Sequence, residues 1–308
     1  LELIPPVPVP RKVNKDLITL PMRLGKALKA TKRVLREVEA DVVIGFGGYV
    51  SAPAYLAARA LKIPFFVHEA NARAGVANKL GVKLGGTGLA AVEDSGLEAE
   101  VVRIPVRDAV LNLDRAALRS EAREFFGVDP DAPLLLVTGG SQGARSINEA
   151  VVNAAKTLQD ANIGVLHAYG KKNQVELPQE VQEGTPPYVA VPYIERMDLA
   201  LAAADAILCR SGAMTVAEVS AVGLPGIYVP LPHGNGEQEL NVRPITHAGG
   251  GVIIKDAELT ENRVAQEVIP LLRDETRWQA ASLATLAAGH RDAAQKIADK
   301  IIAAAESE

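Results

Sequence analysis

The sequence predicts an α/β protein built from two Rossmann-like domains, each a parallel sheet covered by helices. Short β-type runs alternate with Ala-rich helical stretches along almost the whole chain, which is the pattern such sheets leave in a sequence. Each half also holds one strand–glycine–helix turn, Gly45–Ser51 in the first and Gly139–Ala144 in the second. The length, 308 residues, suits two ordinary domains. Two such domains facing each other would hold a ligand in the cleft outside the strand carboxyl ends.

Composition narrows the function classes. With 48% hydrophobic and 23% charged residues the chain is globular rather than disordered. No run reaches the roughly 18 apolar residues of a membrane span, and the start lacks the charged-then-apolar pattern of a secretory signal, so a cytoplasmic location is expected. The single cysteine, Cys209, excludes an internal disulfide framework and a cysteine-based metal cluster. A net charge of -4 with 4% aromatic residues argues against a nucleic-acid binder, which needs basic excess and stacking residues.

The elements follow in order. Leu17, Ile18, Leu20 and Met22 form an apolar cluster beside Lys12, Lys15 and Arg23. A helix is predicted over 22–39, with Leu24, Leu28, Thr31, Leu35 and Val38 on one face and Lys26, Lys29, Arg33 and Arg36 opposite. That segment reads either as a buried helix with a solvated charged face or as a contact for an anionic membrane surface. DVVIGFGG (41–48) is a strand leading into the helix SAPAYLAARAL, with Pro53 near its first turn. The strand FFVHE (65–69) precedes a helical stretch around 74–84, then LAAV and VVRIP. The domain boundary falls near Pro105 to Asp108, followed by the polar helix DRAALRSEAREFFG. LLLVTGG opens a second series, continued by the helix SINEAVVNAAKTL and the strands IGVLHAYG, YVAVPYI, AILCRSG, GIYVPLP and GVIIK. The last 25 residues or so, rich in Ala, read as a closing helix.

Four loops at strand ends carry polar groups. LLLVTGGSQGAR (134–145) reads either as a plain strand-to-helix turn or as an anion site, in which small residues let a phosphate approach the free N–H groups of a helix start. His68-Glu69-Ala70-Asn71 stands directly after a predicted parallel strand but lacks the second histidine of a zinc-binding HExxH helix. In RSGAMTVAE (210–218) Thr215 and Glu218 have capping-box spacing, so Glu218 either satisfies a backbone N–H or accepts hydrogen bonds from a ribose diol. In PHGNGEQ, Glu237 and Gln238 either belong to a surface loop or present polar groups to sugar hydroxyls.

Taken together, GFGGYVSAP, HEAN, the PVR of Pro105–Arg107, GGSQGAR, RSGAMTVAE and GNGEQ resemble, in order and spacing, the MurG enzymes, UDP-N-acetylglucosamine:lipid I glucosaminyltransferases of bacterial peptidoglycan synthesis. The resemblance covers nearly the full chain and is to an actinobacterial-type member. It implies a GT-B fold with parallel sheets facing across a cleft, divided into an acceptor and membrane-facing domain (1–107), a UDP-sugar domain (108–285) and a C-terminal helix (286–308) packing back on the first. By similarity Ile194 meets the uracil through its backbone and Glu218 holds the ribose. Ser141 of the glycine turn and the 213–217 turn (Ala213, Met214, Thr215, Val216 and Ala217) lie on the diphosphate, Gln142 is a further substrate-binding candidate, and Glu237 and Gln238 face the sugar. Asn71 and Arg107 match further donor-site positions, and Arg210 matches the motif without an assigned contact.

The implied reaction is attack of a lipid-linked muramyl 4-hydroxyl on the anomeric carbon, expelling UDP with inversion. Two helix N-termini, near Ser141 and Ala213–Thr215, would stabilise the leaving diphosphate, and the cleft loops carry no DxD-type acidic pair, so no metal and no cofactor beyond the UDP-sugar is expected. The family's leading proton acceptor is a histidine in a first glycine-rich loop, GGTxGH, and nothing resembling that loop occurs here, so the first domain is expected to be incomplete at its start. His68 and Glu69 are the remaining catalytic candidates. Leu17, Ile18, Leu20, Met22, Arg23 and Lys26 are the candidate membrane contact, on the cytoplasmic face, and cell-wall synthesis proteins are candidate partners alongside roles in cell shape and division. Two other readings are carried: a non-catalytic donor-binding and membrane-docking fragment, and another GT-B enzyme such as a UDP-sugar 2-epimerase or glycolipid synthase.

Overall fold

The computed structural model describes residues 1–7, 15–177 and 184–306, with the side chains of residues 15–18 outside that description. The chain divides into two compact units, one formed by 1–105 with 292–308 and the other by 106–291.

The first unit opens with α1 (Lys15–Glu37), followed by β1 (Val43–Gly45), α2 (Ser51–Leu61), β2 (Phe65–Glu69), α3 (Val76–Lys83), β3 (Thr87–Ala90) and β4 (Glu100–Val101). The four strands are parallel in the order β1-β2-β3-β4. The predicted helix over 22–39 starts earlier and stops sooner, so the apolar cluster at 17–22 is part of α1 and Pro21 lies inside it. Val38 falls beyond the helix end and is 62% exposed; Ala27 and Thr31 are the buried positions of the face, and the Thr31 hydroxyl donates to the Ala27 carbonyl. The strand predicted in VVRIP shrinks to Glu100–Val101, because Arg103 adopts a left-handed backbone at φ 71° that ends the extended run.

The second unit contains α4 (Asp108–Leu111), α5 (Arg115–Phe126), β5 (Leu134–Thr138), α6 (Arg145–Asp160), β6 (Gly164–Ala168), β7 (Tyr188–Val191), α7 (Met197–Ala203), β8 (Ala206–Cys209), α8 (Ala213–Ala221), β9 (Gly226–Tyr228), α9 (Glu237–His247), β10 (Gly251–Ile253), a 3₁₀ turn at Asp256–Glu258, α10 (Glu261–Arg273) and α11 (Glu275–Ala287). The closing stretch is not one helix: α11 ends at Ala287, and α12 (Ala293–Ala305) belongs to the first unit, where Ile297 packs with Phe66, Leu89 and Val102.

The sheet of the second unit has six parallel strands in the order β10-β9-β8-β5-β6-β7. Strand alternation sends Leu134, Leu136, Ile207 and Cys209 to one face, against α5, α7 and α8, and Leu135, Val137, Val165 and Leu208 to the other, against α6 and α10. Both faces are covered, so β5, β6 and β8 are buried along their whole length. From β5 the chain winds one way through β6 and β7, then returns to lay β8 on the other side of β5. Neighbouring connections therefore diverge at β5 and β8, and a crevice opens at the carboxyl ends of those strands.

Candidate functional site

A cavity of about 150 Å³ occupies that crevice. Its wall is made by Thr138 and Gly140 with Ser141 after β5, Ala168 at the end of β6, Pro192–Ile194 after β7, and Thr215 and Glu218 on α8, with Arg107 at the rim. Of the residues singled out in the sequence, Arg107, Ser141, Ile194, Thr215 and Glu218 are brought together here.

Ile194 is 4% exposed and its side chain is part of the core, so only its backbone is available to a ligand. Its N–H and carbonyl have no backbone partner among the described residues. Glu218 is not in a capping box. The N-cap of α8 is Gly212, which puts Glu218 well inside the helix, and Nε and Nη2 of Arg107 both meet its Oε1 at 2.8 Å. Oε2 takes no partner among the described residues and remains able to accept hydrogen bonds from a diol.

The cavity is bordered by the glycine turn that leads into α6, through Gly140 and Ser141, and by the start of α8, through Thr215. Neither Ala144, the N-cap of α6, nor Gly212 of α8 supplies a side-chain cap, so first-turn N–H groups of both helices remain available to an anion. The 139–144 segment is a true turn before α6, in which Gly140 N–H donates to the Thr138 hydroxyl and Gly143 N–H to the Gly140 carbonyl. Ser141 and Gln142 are exposed on it. The stretch 213–217, read from sequence as a turn on the diphosphate, is instead the first part of α8. Ala213, Met214 and Thr215 form its first turn, whereas Val216 and Ala217 face the core and the Val216 N–H is already bonded to Gly212.

Arg210, Gln142, Glu237 and Gln238 do not line this cavity. The Arg210 guanidinium is a brace: it donates to the Val229 and Pro230 carbonyls and the Ser146 hydroxyl, and pairs with Asp256 at 2.5 Å. Partial burial opposes ionisation of Asp256, but the Ser146 hydroxyl and Arg210 outweigh it and hold the carboxyl below its usual range. The brace joins the ends of β8 and β9 to the first turn of α6. Glu237 exchanges hydrogen bonds with Asn235, and the Gln238 side-chain carbonyl accepts from the Leu231 N–H. Asn241 ties α9 to the Ser211 carbonyl ahead of α8.

In the first unit, His68 and Glu69 end β2 and are 1% and 3% exposed. Glu69 is the hub of the following loop: Oε1 accepts from the N–H and side-chain amide of Asn71, and Oε2 accepts from the Gly75 N–H and the Asn78 amide. Asn78 also donates to the His68 carbonyl and accepts from the Tyr55 hydroxyl. Nε2 of His68 lies 2.8 Å from the Arg103 carbonyl and must carry the proton there, which leaves Nδ1 as a lone-pair acceptor, buried and without a partner among the described residues. Burial pushes the His68 pKa down, so the ring is neutral. Nothing in the sequence pattern marked Asn78 or Tyr55, because their link to Glu69 crosses a loop and two helices.

On α1, Met22 is 59% exposed, Leu20 is half-buried, and Arg23 donates to the Pro6 carbonyl. Lys26, Lys29, Arg33 and Arg36 line its exposed basic face. Leu17 and Ile18 have side chains outside the described residues. Among the described residues no helix is long and apolar enough to cross a membrane, and no three His, Cys, Asp or Glu residues group as metal ligands.

Residues 134–297 match the glycosyltransferase family 28 C-terminal domain and residues 1–85 its N-terminal domain. Two parallel-sheet α/β units with these matches define a glycosyltransferase of the GT-B fold. A UDP-N-acetylglucosamine--N-acetylmuramyl-(pentapeptide) pyrophosphoryl-undecaprenol N-acetylglucosamine transferase of Corynebacterium jeikeium is 90% identical over 307 residues, covering 100% of this chain and 83% of that protein. Its counterpart from Nocardia farcinica is 60% identical over 305 residues, covering 97% and 80%. The crystal structure of Acinetobacter baumannii MurG superposes with a TM-score of 0.70 at 28% identity, over 92% of this chain and 79% of that one. The chain belongs to the MurG family.

Proposed function

We propose that the protein transfers N-acetylglucosamine from UDP-N-acetylglucosamine to the muramyl 4-hydroxyl of lipid I, forming lipid II for peptidoglycan. The hydroxyl oxygen bonds to the anomeric carbon as the bond to UDP breaks, with inversion, and the hydroxyl proton passes to an acceptor. The observation that carries this reading is the cavity at the β5/β8 divergence, which combines a free backbone edge at Ile194, an acceptor oxygen on Glu218, the uncapped start of α8 and the glycine turn that leads into α6. These suit a uracil, a ribose and a diphosphate in turn. Charge growing on the leaving diphosphate is met by N–H groups already oriented before the reaction, which is where such donors contribute most.

Arg107 neutralises and orients Glu218, and Arg210 acts at a distance by holding the α6 start. On the acceptor side, Glu69 has all its hydrogen-bonding positions occupied and shapes the 71–78 loop, while His68 Nδ1 is the group left able to take a hydrogen bond from a hydroxyl. The basic face of α1, with Met22 beside it, favours docking on the anionic cytoplasmic face of the membrane, where the lipid acceptor resides.

Calorimetric titration with UDP-N-acetylglucosamine alongside a lipid I turnover assay tests the function. Glu218→Gln should weaken UDP binding about tenfold or more, since hydrogen bonds to a charged acceptor contribute about 1.5–3 kcal/mol. Donor binding without transfer by the unmodified chain would overturn the enzymatic reading, and unchanged UDP affinity in Glu218→Gln would remove Glu218 from the ribose.

A further inference from the structure

A chain of buried polar groups runs from the sheet interior to the underside of the glycine turn. His167 on β6 is 0% exposed, and burial pushes its pKa down to about 4, so the ring is neutral. Its Nε2 lies 3.0 Å from the side-chain carbonyl of Asn148 on α6, and its Nδ1 lies 2.7 Å from the Tyr188 hydroxyl. One tautomer satisfies every member: Tyr188 O–H donates to Nδ1, and Nε2–H donates to Asn148. The Asn148 amide then donates to the Tyr169 carbonyl at 3.0 Å. Asn173 completes the line, its amide nitrogen donating to that same carbonyl at 3.1 Å and to the Gln142 carbonyl at 2.7 Å. Gln142 lies within the 139–144 turn.

The backbone permits this only because glycines face each other at the contact. A Cβ on Gly143 (φ 72°) would run into the Tyr169 carbonyl, and one on Gly170 (φ 94°) would strike Gly143 and the Gln142 carbonyl. The two turns therefore pack main chain on main chain, with Asn173 as the clasp between two carbonyl groups that would otherwise repel each other.

We infer that Asn173, backed by the His167–Asn148 pair, is a positioning element for donor binding that sets the 139–144 turn at the height where its N–H groups and those of α6 meet the diphosphate. Asn173 does not line the cavity and touches the ligand only through the turn. The inference rests on the proposed reading that this turn holds the diphosphate of the donor.

The experiment compares UDP with uridine, which has the same base and ribose but no phosphate. Asn173→Ala, at a half-buried surface turn, should weaken UDP about five- to tenfold through loss of two hydrogen bonds, and should leave uridine affinity within about twofold. The kcat/KM for UDP-N-acetylglucosamine should fall by at least the same factor, part of it in kcat, because the same N–H groups meet the charge growing on the leaving diphosphate. Asn148→Asp keeps the acceptor for His167, drops the donor to Tyr169, and should give the same split. Equal losses for UDP and uridine, or UDP binding like that of the unmodified protein in both variants, would overturn the clasp. If the unmodified protein itself binds UDP no more tightly than uridine, it is the diphosphate reading of the turn that falls.

Discussion

Acid should destabilise the second unit through His167 alone by a predictable amount. The imidazole is fully buried and its folded pKa is about 4, against an ordinary value of 6.5. An unfolded chain takes a proton on this ring near its ordinary pKa, while the folded chain stays neutral until about 4. The His167 contribution is therefore complete above the unfolded pKa, declines as pH falls through the interval between the two values, and levels off below the folded one. Integrating the difference in bound protons gives a loss of about 2 to 3 kcal/mol by about pH 4.5. Carboxylates titrate in the same range, so the informative quantity is the stability gap between the unmodified protein and His167→Gln. Trp278 is the only tryptophan of the chain and belongs to the second unit, where its indole N–H donates to the Asp205 carbonyl, so its fluorescence follows unfolding of that unit. In urea titrations the gap should shrink by about 2 to 3 kcal/mol between about pH 7.5 and about pH 4.5. A gap of the same size at both pH values would refute the reasoning.

Glu69→Ala should remove the acceptor shared by Asn71, Gly75 and Asn78 and lower stability of the first unit by about 3 kcal/mol, and Glu69→Gln should recover only part of this because its amide would face the Gly75 N–H and the Asn78 amide. Calorimetry with the KM for lipid I checks both; a Gln variant that melts like the unmodified protein would show that Glu69 is no hub. Replacing Leu17, Ile18, Leu20 and Met22 by Ser should abolish co-sedimentation with anionic vesicles, since each buried apolar side chain contributes about 1.5–3 kcal/mol. Retained binding in that variant would move the membrane contact elsewhere.

The alternation of β-type runs with helices was enough to place two parallel-sheet units, because a strand covered on both faces must be apolar along its length, as Leu134–Val137 and Phe65–Val67 are. Local chemistry also marked the glycine turn, the strand-to-helix segment 210–218 and the candidates at the end of β2. What it could not reveal was which polar groups were already occupied. Glu218 carries capping-box spacing, yet the helix begins at Gly212 and the carboxylate meets Arg107, 111 residues away in sequence. Arg210 sits in a loop motif, but its guanidinium is taken up by Ser146, Asp256 and two carbonyls.

The sequence by itself determined the fold class and the family, since periodicity, turn residues and six ordered motifs are all local properties of the chain. Tertiary structure decided the division of labour among the motif residues. Strand order brings β8 back beside β5, so groups far apart in sequence meet at one crevice. A buried donor or acceptor must find a partner wherever the packing supplies one. That requirement turns Glu69 and Arg210 into braces, leaves Glu218 Oε2 and His68 Nδ1 unspent among the described residues, and carries a line of hydrogen bonds from His167 out to the glycine turn.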